Sequence, residues 1–286
     1  MSTSLKTSAA RFLIVLVLGS GVSLAQNLRS SDLAVSPDPT ANPRRVPPPQ
    51  SIVDARLTSD EIEAARINDV YQAVVKIHLQ GDFQAAAGMY QSLVIPMAER
   101  MQSEVTRKKF LFLGYRGLGN CYLGMSRFTD AEETFEQLFQ YLPLEPGTQD
   151  SDYAMNFESI AMARIGEQRW KAAEESLQKA VSIFEDQIAG VTSSALDSAQ
   201  NQRANKLRIS QDMALHLFAV VYFREQRYPE ALEALERAYN QAITFRAPAE
   251  VVDQIVDDGR AVSIAAADEG AIATWSQRLA ERPTTQ

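Results

Sequence analysis

The chain has 286 residues, 45% of them hydrophobic, enough to bury the core of one or two ordinary domains. Its formal net charge of −8 argues against a nucleic-acid or anionic-lipid partner. With Cys121 as the single cysteine, no internal disulfide can close.

Lys6 and Arg11 precede or open an apolar run from Phe12 to Leu24, which ends in Ser23-Leu24-Ala25. A basic head, a short apolar middle and a small-x-small ending are the parts of a secretory signal peptide, so residues 1–25 are expected to be a leader cleaved after Ala25. Gly19, Ser20 and Gly21 interrupt the run, which falls short of the about 20 apolar residues that span a bilayer. No Cys follows it to mark a lipoprotein. Removing Lys6 and Arg11 takes the formal charge from −8 to −10, and the mature protein is expected in a bacterial-type periplasm or outside the cell, meeting the membrane only through the leader. Residues 26–57 carry six prolines between Pro37 and Pro49 and no apolar periodicity, the composition of a solvated, polyproline-like tether. The stretch PRRVPPP from Pro43 to Pro49 suits either a spacer or a ligand for a proline-binding module.

Ordered structure is expected from Thr58, where Thr58 and Glu61 form a capping box. The spacing predicts a helix over Ser59–Leu79 with Ile62, Ala65, Ile67, Val70, Val74 and Ile77 on its inner side, a turn at Gly81-Asp82, and a second helix presenting Phe83, Ala86, Tyr90 and Leu93. The stretch from Phe112 to Glu145 reads as two short helices, the first with Tyr115, Leu118, Gly119 and Tyr122 and the second with Ala131, Phe135 and Leu138, closed by Pro143. A third pair, from Asp152 to about Glu185, carries Phe157, Ile160 and Ala161, then Trp170, Ala173, Leu177 and Ala180. After a Ser-, Ala-, Gln- and Asn-rich insertion around Gly190 to Asn205, expected as a loop or an added helical turn, a fourth pair runs from Asp212 to about Phe245. It shows Leu215, Phe218, Ala219 and Tyr222, then Tyr228, Ala231, Leu235 and Ala238, with Pro229 where a missing N–H costs nothing. Two further helices, residues 249–267 and 271–282, have polar outer positions and read as a cap, and residues 283–286 as a frayed tail.

The order Tyr115, Leu118, Gly119, Tyr122, Ala131, Phe135, Leu138, Pro143 resembles the tetratricopeptide repeat, and the other three pairs resemble it in part. The signature alanines Ala86, Ala131, Ala173 and Ala231 stand 45, 42 and 58 residues apart, against roughly 34 in the usual repeat. Such long steps are similar to those of kinesin-light-chain repeats, and the extra residues must lengthen helices or fill connections. The resemblance implies an all-α fold: a right-handed α-solenoid of about four antiparallel helix pairs over residues 58–248, with a C-terminal helical cap over residues 249–282.

Chemistry-bearing patterns are sparse. His78 and His216 lie on different repeats with no metal-ligand spacing, so neither a metal site nor a cofactor is expected. Cys121 lies on a packed helix and reads as buried and inert. The carboxylate pairs Glu132-Glu133 and Asp257-Asp258 read as solvated helix faces. No catalytic constellation emerges, and a non-enzymatic protein is expected. What the resemblance implies instead is a concave groove lined by the first helices: Tyr71, Val75 and His78, then Arg116, Asn120 and Leu123, then Met155, Glu158 and Met162, then Met213, His216, Val220 and Phe223.

Arg116 and Asn120 resemble half of the family's carboxylate clamp, but Ser159 and Met155 stand where its other half would be. Met155, Met162, Met213, Val220 and Phe223 suit an apolar segment of a partner between the third and fourth repeats, or a covering helix from residues 249–282. The expected role is an exported scaffold or adaptor binding a protein or peptide partner, with self-association as a variant. A small-ligand-binding or enzyme-accessory domain using the same groove is the alternative.

Overall fold

The structure is a computed structural model, and it describes residues 58–142, 150–192 and 198–280. The expected leader, the proline-rich tether, Pro143 and the C-terminal tail lie outside the described residues. The elements follow in order as α1 (Ser59–Leu79), α2 (Phe83–Met89), a π turn (Tyr90–Val94), α3 (Ile95–Glu99), α4 (Glu104–Gly124), α5 (Phe128–Leu138), α6 (Asp150–Gly166), α7 (Trp170–Thr192), α8 (Ser198–Arg224), α9 (Tyr228–Thr244), α10 (Ala249–Ala266) and α11 (Glu269–Ala280). Each helix packs on its sequence neighbour, and the first helices of successive pairs, α1, α4, α6 and α8, also touch in sequence. The result is a stack of four pairs closed by α10 and α11.

Local rules set the pairs. At Thr58 the capping box is complete: the Glu61 carboxylate accepts from the Thr58 backbone N–H at 2.7 Å, and the Thr58 hydroxyl accepts from Glu61 N–H. The turns inside the four pairs each place one residue in the left-handed region, Gly81, Ser126, Gln168 and Gln226. Past the last three, the backbone N–H groups of Arg127, Arg169 and Arg227 reach back to the carbonyls of Tyr122, Arg164 and Tyr222 at 2.8–2.9 Å, satisfying groups that a helix end otherwise orphans. Large side chains then close on small ones within a pair, between pairs and in the cap. A Cβ on Gly119 would stand 2.6 Å from the Phe135 ring, one on Gly166 2.4 Å from Phe128, and one on Gly259 2.4 Å from Trp275. The four signature alanines are fully buried.

The long repeat spacing is absorbed by helix length. Rather than beginning near Phe112, α4 starts at Glu104, capped by Ser103, and carries Phe110 and Leu111 into the core. The insertion after Gly190 continues α7 to Thr192 and is helical again from Ser198, so α8 reaches 27 residues.

Two readings of the first pair are corrected. Ile62 and Ala65 face solvent, and the buried stripe of α1 is Ile67, Val74 and His78. In the second helix Val94 is buried where Leu93 was expected, and Leu93 is 41% exposed. The cause is local: Pro96 has no N–H and its ring crowds the carbonyl four residues back, and the π turn just ahead of it widens the helix. Ile95 N–H accordingly bonds Tyr90 O, five residues back, and every later side chain advances by one place.

Charges stitch the pairs together. Glu132 is buried, not solvated: it accepts from Arg164 Nε at 2.6 Å and from Arg169, both in the next pair, while Arg164 also donates to Ala172 O and Ser176 Oγ. One pair further on, Glu174 accepts from Arg227 at 3.0 Å and from the Tyr222 hydroxyl at 3.1 Å. At the end of the stack Arg278 of α11 makes a bidentate bridge to Glu236 at 2.6 and 2.7 Å and lies over the Tyr239 and Trp275 rings.

Two outcomes follow for denaturant unfolding. Gln226→Gly relieves a left-handed non-glycine residue and raises stability by about 1 kcal/mol. Gly119→Ala drives a methyl into the fully buried Phe135 and lowers it by about 1–3 kcal/mol.

Candidate functional site: the inner face of the stack

Helices α1, α4, α6 and α8 carry, one each, Tyr71, Arg116, Glu158 and His216 of the expected inner-face row. The row divides into two parts with different states of satisfaction.

At the fourth pair the face is already occupied. His216 Nε2 lies 2.5 Å from Asp258 Oδ2 of α10, which also accepts from Gln254 Nε2 at 3.1 Å. Val220 and His216 are buried, and with Phe223 they form one side of a narrow cleft whose other side is Asp258, Ala261 and Val262 of α10. The capping helix therefore sits over His216, Val220 and Phe223, where an apolar partner segment was one expectation. Asp258 is its polar anchor, which corrects the reading of Asp257-Asp258 as a wholly solvated face. Periodicity alone could not show this, because Asp258 carries no sign of its distant partner. Met213 stays half-buried at the edge.

Over the first three pairs the polar side chains of the row are buried or half-buried and make few hydrogen bonds among the described residues. Arg116 makes no ion pair among the described residues: its nearest polar contact is the Met155 sulfur, 3.9 Å from Nη2, and its guanidinium lies 5.7 Å from the Phe112 ring centre. Half-buried Asn120 and Tyr71 have no side-chain hydrogen bond among the described residues. Glu158 is 3% exposed, and its Oε1 has no hydrogen-bond partner. Burial drives the Glu158 carboxyl well above the usual carboxylate range, against the pull of the Arg116 charge. Met155, Met162 and Val75 flank these groups half-buried.

Two groove residues belong to the core instead. His78 is buried, with Nδ1 3.5 Å from Cys121 Sγ and its ring edge-on to Phe83 and Tyr90, and burial lowers its pKa. Leu123 is buried in the same cluster. His78 lies at the C-terminal end of α1 and Leu123 at that of α4. Cys121 is fully buried, and its thiol is pushed up to about 12. Among the described residues no three His, Cys, Asp or Glu side chains gather as a metal site would require, and no helix is long and apolar enough to cross a membrane.

No protein-family model matches the chain, and no curated protein matches it in sequence. Solved structures do match its shape. BtubC (BKLC) from P. vanneervenii is 18% identical, over 80% of this chain and 96% of that one, with a TM-score of 0.55. A kinesin light chain from Podosopora anserina with nearly identical TPR-like repeats is 16% identical, over 76% of this chain and 95% of that one, with a TM-score of 0.53. The fold is a tetratricopeptide-like helical solenoid. The spacing of its alanines and the packing of its pairs thus lead to the same architecture as the comparison.

One buried acid outside the row gives a stability test. Asp212 of α8 is 6% exposed, its Oδ1 is unpartnered, and burial pushes its carboxyl up to about 7. The folded state keeps a proton that the unfolded chain releases near pH 4, so this stability is full below about pH 4 and is lost as pH rises through 7. Urea midpoints measured from pH 5 to pH 8 should shift in favour of Asp212→Asn over the parent protein by about 2–3 kcal/mol.

Proposed function

We infer that this protein is a non-catalytic interaction scaffold whose inner face, across the first three helix pairs, receives a segment of a protein partner. The observation that carries the reading is the contrast within one row. His216 is matched by the chain's own Asp258, whereas among the described residues Arg116 makes no ion pair and Asn120 and Tyr71 make no side-chain hydrogen bond. A guanidinium and an amide kept apart from internal partners on adjacent turns, with methionines beside them, suit an extended or helical segment with polar and apolar groups. The solenoid supports the same role, because stacked pairs offer a long concave surface without a deep cavity. The basic head and apolar run of residues 1–25 support export, and the proline-rich residues 26–57 a spacer between the scaffold and the place where it works.

Affinity capture from the native envelope tests the reading. The double variant Arg116→Ala/Asn120→Ala should lose a partner by tenfold or more with unchanged thermal unfolding. Phe223→Ala, beneath α10, should retain the partner while lowering the unfolding temperature. The opposite pattern would move the contact to α10 and the fourth pair. Mass measurement of the secreted chain should give an N-terminus at Gln26, and a chain retaining Met1 would overturn the cleavage.

A further inference from the structure

Between α7, α8 and α9 the stack has an open cleft of about 320 Å³. Its floor is apolar: Leu215, Phe218 and Tyr222 of α8, with Val181 of α7 and Ala234 of α9. All but Tyr222 are buried, and the Phe218 ring stacks on that of Tyr222 with centres 5.6 Å apart. These residues lie on a different side of α8 from His216, Val220 and Phe223, and no residue of α10 lines the cleft. The rim is acidic. Glu185, Glu230 and Glu233 stand on it with one cation, Arg237, which is already bridged to Glu185 at 2.9 Å. At the Tyr222 end, Arg227 is shared among Glu174, Glu225 and Glu230 at 3.0–3.2 Å and lies over the Tyr222 ring. Five carboxylates thus face two guanidiniums, and exposed Glu233 makes no ion pair among the described residues.

Shape and charge select an occupant. The volume is at the low end of the about 300–1,000 Å³ that ligand sites enclose, room for a few side chains and not for a helix. An anion is repelled by the rim. A bare metal ion is not served, because the carboxylates do not converge. What fits is a short extended segment that joins apolar rings to a guanidinium. The chain holds such a segment: Pro43-Arg44-Arg45-Val46-Pro47-Pro48-Pro49 sets two arginines among four prolines, whose fixed φ lowers the entropy lost on docking. Reach decides which copy supplies it. Arg45 stands thirteen residues before Thr58, at most about 45 Å of extended chain. The steps from α1 through α4 and α6 to α8, at about 8–10 Å each, and the passage to another side of α8 consume most of that length. We propose that the PRRVPPP stretch of one copy docks in the α7–α9 cleft of a second copy, its prolines and Val46 on the Phe218 and Tyr222 floor and an arginine on Glu233. One chain then carries both halves of an assembly contact and leaves the inner face free for a partner.

The test uses the full chain as secreted, in two samples mixed at equal concentration. One carries a nitroxide attached through Ser51→Cys, since fully buried Cys121 does not take the label, and the other is 15N-labelled. Paramagnetic broadening is expected at the Ser182 and Glu233 backbone amides of the 15N copy, and the peptide acetyl-PRRVPPP-amide should abolish it while saturating shifts of the same signals. Arg44→Glu/Arg45→Glu in the spin-labelled copy should weaken the contact about tenfold, and Glu233→Arg in the 15N copy about as much, with unchanged thermal unfolding. Joining the two reversals should restore the contact, which a merely structural effect of either would not do. No broadening at the cleft, or broadening that survives both single reversals, would overturn the proposal. Equal saturation by acetyl-ARRVAAA-amide would overturn it too, leaving only a charged patch. Broadening seen only when nitroxide and 15N share one chain would remove the second copy and assign the cleft to the chain's own segment. None of these results bears on Arg116 and Asn120, so the scaffold reading stands or falls separately by partner capture.

Discussion

No helix pair in this chain can bury its apolar surface alone, and everything else in the structure follows from that constraint. A pair closes internally where a ring meets a glycine or alanine, as Phe135 meets Gly119, and it then still exposes two broad apolar sides. Each side needs a neighbour. The stack supplies one at every interior step, and α10 and α11 supply one at the C-terminal end through Ile255, Val256, Val262 and Trp275. Because the closing contacts are between rings and missing side chains, they tolerate little change in size. The ion pairs of Glu174 and Glu236 sit at the edges of these contacts, where partial exposure moderates both their cost and their benefit, whereas that of Glu132 is buried among them.

The polar row on the inner face records a second constraint. Polar groups buried without partners are disfavoured, so a chain that keeps them must have another use for them or another source of partners. At the fourth pair the source is internal, through Asp258 and Gln254. At the first three pairs, among the described residues, Arg116 makes no ion pair, Asn120 makes no side-chain hydrogen bond and Glu158 Oε1 has no partner. The same solenoid thus presents a satisfied half and an unsatisfied half.

Much of this architecture was legible in the sequence, because small and large residues at helical spacing report directly on the seam of a pair. Ala86, Ala131, Ala173 and Ala231 are all fully buried, and the capping box at Thr58 forms as its residues suggest. The failures share a cause: periodicity tells which side of a helix is apolar, not what lies across from it. Only the backbone shows that Pro96 is accommodated by a π turn that exchanges Leu93 for Val94. Glu132 looked like half of a surface pair until two arginines of the following repeat converged on it. Likewise His78, on the expected groove side, turns into the core because Cys121, Phe83 and Tyr90 form a pocket for its ring.

Helix α6 faces both ways. Its Ile160 and Ala163 belong to the apolar cluster of the first two pairs, whereas Ala161 and Ile165 belong to that of the fourth pair and the cap. It is a party wall between two interiors, and Met162, a flexible thioether, packs against both. A load applied to the two ends of the stack is therefore borne by a single helix whose sides are anchored separately. The curvature of the inner face is set where the two interiors share that helix.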